Sequence, residues 1–186
     1  PLVSLVGYTN AGKTTLLNSL VNERQLADDS LFTTLDPLSR LLILPNHQKI
    51  IISDTVGFLH NLPHHLIEAF KATLEDVRQA DLLIHVLDVS HPLRYSHYES
   101  VNKVLLELEC QGKSIITALN KVDKLEDQNW LERYKQDFPG SLAISALKKE
   151  NLEQLLTAIS QKVSQTIERV ELTIPLDKMG LVDMIY

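Results

Sequence analysis

Gly7-Tyr8-Thr9-Asn10-Ala11-Gly12-Lys13-Thr14 has the spacing G-x-x-x-x-G-K-[ST], and its residue types suit one task, the holding of phosphate groups. Glycines at 7 and 12 let the backbone turn so that successive N–H groups face phosphate oxygens, next to the positive end of a following helix. Tyr8, Thr9, Asn10, Ala11 and Thr15 would line the same cradle through their backbone. Lys13 would neutralise the β- and γ-phosphates, and the Thr14 hydroxyl would bind a magnesium ion. Downstream, Asp54-Thr55-Val56-Gly57 offers a carboxylate for that ion and, at Gly57, an N–H able to approach a terminal phosphate closely. A D-x-x-G tetrapeptide by itself is an ordinary turn; after a phosphate loop and at a strand end it reads as a γ-phosphate sensor.

Two later segments speak to the other end of a nucleotide. In Asn120-Lys121-Val122-Asp123 the Asp123 carboxylate can accept hydrogen bonds from the N1–H and exocyclic amine of guanine, whereas adenine would set acceptor against acceptor. A site built on buried hydrogen bonds rejects the wrong base strongly because its own polar groups are left unpaired. Ser145-Ala146-Leu147 would complete the base loop, with the Ala146 N–H directed at guanine O6. Between Arg24 and Pro37 lies a polar stretch, Asp28-Asp29-Ser30 and Phe32-Thr33-Thr34-Leu35-Asp36-Pro37, placed where a switch loop must bring a hydroxyl to the metal. Thr34 is the expected metal ligand, with Thr33 second, so the metal set is Thr14, Thr34 and Asp54. Loss of the γ-phosphate would release this loop and residues 55–65 together. Lys13, Thr34 and Gly57 are thus the candidates for assisting phosphoryl transfer.

These motifs need rigid elements behind them. Apolar runs at Leu2–Val6, Leu38–Leu44, Lys49–Ser53, Leu82–Asp88, Ser114–Leu119 and Leu142–Ile144 read as strands. Helical periodicity fills the gaps, starting at Thr14–Val21. Further faces are Leu66, Phe70, Leu74 and Val77; Val101, Val104, Leu105 and Leu108; and Leu152, Leu155, Leu156, Ile159, Val163 and Ile167. Alternation of strands and helices, without one-sided patterning, predicts an α/β fold: a mostly parallel six-stranded sheet with helices on both faces. Pro45-Asn46-His47-Gln48 is too short for anything but a hairpin, which makes one edge strand antiparallel. In such sheets ligands sit beyond the carboxyl ends of the strands, where every motif above falls. Lys124–Asp137 reads as a solvated helix with Trp130 on its apolar side. Residues 1–168 are expected to form the nucleotide-binding domain. Residues 169–186, with a strand at Val170–Pro175 and a helix at Asp177–Tyr186, are expected to open a truncated C-terminal segment.

Composition narrows the class. A length of 186 residues with 44% apolar content supports one ordinary core. Eighteen basic and twenty-four acidic residues give a net charge of −6, which argues against this segment wrapping nucleic acid or lying on an anionic membrane. Cys110 is the only cysteine, so an internal disulfide and a cysteine zinc site are both impossible. No apolar run is long enough for a membrane span, and a cytoplasmic monomer is the expectation. The chain starts at Pro1, directly on the first strand, and reads as part of a longer protein.

With Leu62-Pro63-His64 and Ala69-Phe70-Lys71-Ala72-Thr73-Leu74-Glu75 added, the motifs closely resemble the GTPase domain of the HflX family, among the Obg-like translation-factor GTPases. The likeness covers about residues 1–168 and extends to the switch sequences. It implies a P-loop GTPase that binds GTP and GDP with Mg²⁺, associates with the large ribosomal subunit, is stimulated by it, and acts in ribosome splitting or rescue. In that family an N-terminal domain and linker helices make much of the ribosome contact. Asn10 resembles the phosphate-loop Asn of GTPases that bind K⁺, or else simply bonds the local backbone. Phe58 stands where Ras-like enzymes place a water-orienting Gln, which predicts low intrinsic turnover. His64 is a candidate to approach the water; His60, His64 and His65 together lack the companions of a structural metal site. The competing readings are a nucleotide-gated binding module with negligible hydrolysis and an ATP-using P-loop enzyme, the latter opposed by Asn120 and Asp123.

Overall fold

The computed structural model describes residues 1–24, 39–55, 57, 74–125 and 129–165. Six strands form one sheet: β1 (Leu2–Val6), β2 (Ser39–Ile43), β3 (Lys49–Asp54), β4 (Leu82–Asp88), β5 (Ser114–Asn120) and β6 (Leu142–Ala143). Their spatial order is β2-β3-β1-β4-β5-β6, with β2 antiparallel to β3 and every other pairing parallel. The helices are α1 (Lys13–Arg24), α2 (Glu75–Gln79), α3 (Arg94–Glu107), α4 (Asn129–Asp137) and α5 (Leu152–Gln165), and a 3₁₀ turn spans Val122–Lys124. The expected α/β architecture is therefore present, including the antiparallel edge strand.

Strand periodicity divides the core between the two faces of the sheet. Val3 and Leu5 of β1, Ile50 and Ile52 of β3 and Ile84 and Val86 of β4 pack with Leu16, Leu20, Leu155 and Ile159 of α1 and α5. Val6 and Leu83 point the other way, onto Val77 of α2 and Val101, Val104 and Leu105 of α3. Because β1 and β4 are covered on both faces, their apolar runs are nearly continuous. Ser4 and His85 interrupt them; the buried Ser4 hydroxyl shares a 2.7 Å hydrogen bond with Ser53 on β3 and so is satisfied inside the sheet.

The hairpin between β2 and β3 closes through Leu44 N–H to Gln48 O and His47 N–H to Leu44 O, both 2.9 Å, with His47 in the left-handed region at φ 63°. One expectation changes in α4: Trp130 is 43% exposed, and the helix is anchored by Tyr134, which is 3% exposed beside Leu87, Leu119 and Phe138. The Trp130 ring lies over Tyr134 and under Arg133, so it packs along the helix surface instead of entering the core. The expected elements at Leu66–Thr73, 170–175 and 177–186 lie outside the described residues, as does the end of the last helix at Ile167.

Candidate functional site

Five parallel strands end at one rim of the sheet, and the residues after them form the site. After β1, Ala11 N–H bonds Tyr8 O (3.1 Å) and Leu16 N–H bonds Gly12 O (2.9 Å), which closes the loop and starts α1. Asn10 and Gly12 take positive φ, 62° and 101°. Gly12 is doubly required, since a Cβ there would sit 2.4 Å from the Asn120 amide nitrogen. Gly7 serves differently from the expected turn: its φ is ordinary, and a Cβ would meet the Val86 carbonyl oxygen at 2.4 Å, so its role is close packing of the loop root on β4. The Tyr8 ring packs toward α3, where it stacks on His97 with the ring centres 3.7 Å apart, leaving only its backbone for the cradle.

Lys13 begins α1, where the first-turn N–H groups have no intrahelical acceptors. It is 6% exposed, and its ammonium is held by the carbonyls of Gly7 (3.2 Å) and Tyr8 (3.3 Å). Burial pushes the Lys13 pKa down, partly opposed by the Asp54 carboxylate. A desolvated ammonium held by two carbonyls at a helix N-terminus is a setting that an anion stabilises. The cavity in front of it, about 380 Å³, is lined by Thr9, Asn10, Lys13, Thr14, Thr15 and Gly57, among others.

Asp54 closes β3 opposite α1. Its Oδ2 accepts the Thr14 hydroxyl at 2.5 Å, while its Oδ1 is buried with no hydrogen-bond partner among the described residues. A buried, unsatisfied carboxylate oxygen beside a threonine hydroxyl is a donor set suited to a hard divalent cation, so the residues present fit Mg²⁺. Thr55 donates to Leu5 O (2.6 Å) and fixes the start of the following loop. Thr33, Thr34, Phe58, His60, His64 and His65 lie outside the described residues.

At the base end, Asn120 is 2% exposed and spans two loops: its Nδ2 donates to Ala11 O (2.8 Å) and its Oδ1 accepts from Ala146 N–H (3.0 Å). The Ala146 N–H expected to face guanine O6 is thus engaged by Asn120 here. Ser145 Oγ donates to Asp123 Oδ1 at 2.5 Å and accepts Lys148 N–H at 3.0 Å, so this fully buried hydroxyl aims the carboxylate. Leu147 is 68% exposed at the loop tip.

Three contributors were not singled out from sequence. Ser19 on α1 donates to Ala146 O (2.7 Å), and Asp88 at the end of β4 accepts the Lys121 ammonium (2.6 Å). His85, three residues before Asp88 on β4, is 1% exposed and stacked on Tyr98, and burial, reinforced by the Lys13 charge, pushes its pKa down to about 3. None belongs to a motif; each is defined by a contact across the fold.

A parallel sheet with one antiparallel edge, a phosphate loop at its first strand and a base loop at its last define a P-loop GTPase domain. Comparison with known proteins agrees. The chain belongs to the 50S ribosome-binding GTPase family, whose model matches residues 2–121, and it is homologous to the HflX GTPases over most of its length. It is 47% identical to GTPase HflX of Magnetococcus marinus over 93% of this chain and 40% of that protein, and 40% identical to GTPase HflX of Escherichia coli over 94% and 41%. The chain thus spans about two fifths of the length of these curated relatives. Among solved structures, a GTP-binding protein from Sulfolobus solfataricus in complex with GDP superposes with a TM-score of 0.70 at 32% identity, over 90% of this chain and 53% of that one. Among the described residues, no helix is long and apolar enough to cross a membrane.

Proposed function

We propose that this chain is the nucleotide-binding domain of a Mg²⁺-dependent GTPase whose bound nucleotide governs association with the large ribosomal subunit, in ribosome splitting or rescue. The observation that carries the reading is the Asn120 amide, which bonds the phosphate loop and the base loop at once. The Lys13 ammonium and the Thr14–Asp54 pair beside the first of these loops, and the Ser145-bonded Asp123 carboxylate beside the second, support the same reading. A cation at one loop and an acceptor carboxylate at the other support guanosine di- and triphosphate as the ligand.

In hydrolysis Lys13 and the loop amides stabilise charge on the phosphate oxygens, positioned before reaction at little reorganisation cost. Magnesium, when bound by Thr14 and Asp54 with Thr34 as the third ligand, would neutralise charge between the β- and γ-phosphates. Phe58 supplies no group that can orient water, which supports slow intrinsic turnover raised by the ribosome. The same residue favours the second reading, a switch that holds GTP with negligible hydrolysis. Phosphate release from GTP, measured with and without large ribosomal subunits, separates them. Stimulation by subunits is expected; release at background level under both conditions leaves the switch alone. Asn10 would bind K⁺ beside the phosphates, and faster turnover in KCl than in NaCl is the expected sign, equal rates the contrary one.

A further inference from the structure

Asp88 stands at the carboxyl end of β4, paired in register with Asn120 at the end of β5. Its two carboxylate oxygens are divided between two tasks. Oδ1 accepts both the N–H (3.0 Å) and the hydroxyl (2.6 Å) of Ser90, locking the side chain to its own turn. Oδ2 accepts the Lys121 ammonium at 2.6 Å, and the same ammonium donates to Asn10 O at 2.7 Å. Lys121 itself sits in the left-handed region at φ 67°, and its Cε lies 3.8 Å from the position a Cβ on Gly12 would occupy. The lysine therefore runs across the phosphate loop as a strap, fastened at the far end by Asp88.

Burial would raise the Asp88 pKa, but hydrogen bonds from Lys121 and Ser90 outweigh it and hold the carboxyl below its ordinary value. The pair is largely buried, at 23% and 13% side-chain exposure, so water screens it weakly. Without the carboxylate, Lys121 would keep one neutral acceptor, and its flexible four-carbon stem would regain rotamer freedom. Asn10, already in a left-handed conformation, would be held less firmly through its carbonyl.

We propose that Asp88 is a positioning residue for retention of guanine nucleotide: it acts through Lys121, pinning that side chain over the phosphate loop so that both loops stay shaped for ligand. This rests on the reading of the rim as a guanine-nucleotide site. The test is a double-mutant cycle in the intact protein, following release of a fluorescent GDP analogue with Mg²⁺ for the parent, Asp88→Asn, Lys121→Ala and the double variant, with thermal midpoints to check folding. Asp88→Asn is expected to speed release about 10- to 100-fold, the range for a hydrogen bond to a charged group. The double variant should release no faster than Lys121→Ala alone, because both changes undo one contact. Asp88→Glu keeps the charge and should recover part of the loss, which a purely structural role would not produce. Release from Asp88→Asn within about twofold of the parent, or losses that multiply in the double variant, overturns the proposal while leaving the nucleotide site intact. Failure of the parent to bind the analogue overturns both.

Discussion

At the scale of single residues, the candidate site pairs groups whose hydrogen bonds are used within the protein, such as Asn120 and Ser145, with one that keeps capacity for a ligand. Asp54 is that group: one oxygen is occupied by Thr14 and the other is buried without a partner among the described residues. Asp54→Asn keeps the shape and can still accept from Thr14, but removes the charge that a divalent ion needs. It is expected to weaken Mg²⁺-dependent binding of a non-hydrolysable GTP analogue at least about tenfold, the scale of a charged hydrogen bond. Titrating Mg²⁺ at fixed analogue checks it, since the variant should lose most of the parent's metal dependence. Asp123 carries the complementary prediction. An amide there presents a donor where the carboxylate presented an acceptor, so Asp123→Asn should lose guanine affinity by orders of magnitude and gain affinity for xanthosine diphosphate, whose 2-oxo group is an acceptor. Competition calorimetry with GDP and xanthosine diphosphate measures the exchange. Motif spacing made Lys13, Thr14, Asp54, Asn120 and Asp123 legible in the sequence. Asp88 and Ser19 were not, because their roles are contacts to Lys121 and Ala146, 33 and 127 residues away, and an isolated Asp or Ser carries no sign of such a partner.

Elements were read most accurately where burial alone decides them. β1 and β4 match their apolar runs end to end, since strands covered on both faces leave an uninterrupted hydrophobic signature. Half-exposed elements gave less away: α4 packs through Tyr134 and leaves Trp130 outside, because an amphipathic pattern does not say which of two aromatics one turn apart turns inward. His85 is a polar interruption in the most buried strand, and neither ring nitrogen has a hydrogen-bond partner among the described residues. Its pKa of about 3 in the fold lies below the ordinary 6.5, so the unfolded chain binds the extra proton first. The stability that the neutral ring contributes is therefore complete above about pH 6.5 and is lost progressively as the pH falls toward 3, at up to about 1.4 kcal/mol per pH unit. His85→Phe retains the stacking on Tyr98 and removes the titration. Denaturant unfolding of both proteins at pH 7, 6 and 5 should show the parent losing stability that the variant keeps; parallel losses would mean that other groups dominate acid sensitivity.

For the molecule as a whole, the sheet does more than carry two loops at a common rim; side chains cross it and couple them. The phosphate loop follows β1 and the base loop follows β6, separated by β4 and β5, yet Asn120 bonds Ala11 O and Ala146 N–H, and Ser19 on α1 holds Ala146 O. Order imposed at one end of the rim should therefore reach the other without a ligand that touches both. Tripolyphosphate with Mg²⁺, which has no base, isolates this coupling. Its binding should slow hydrogen exchange at Ser145–Lys148 by several-fold, the scale of a coupling free energy of about 1 kcal/mol. Asn120→Ala removes the connection that touches both loops directly and should abolish most of that slowing while tripolyphosphate still protects residues 9–15. Were the base-loop amides of the parent to exchange equally fast with and without tripolyphosphate, the two loops would be independent neighbours. Nucleotide affinity would then have to be the simple sum of its base and phosphate contributions.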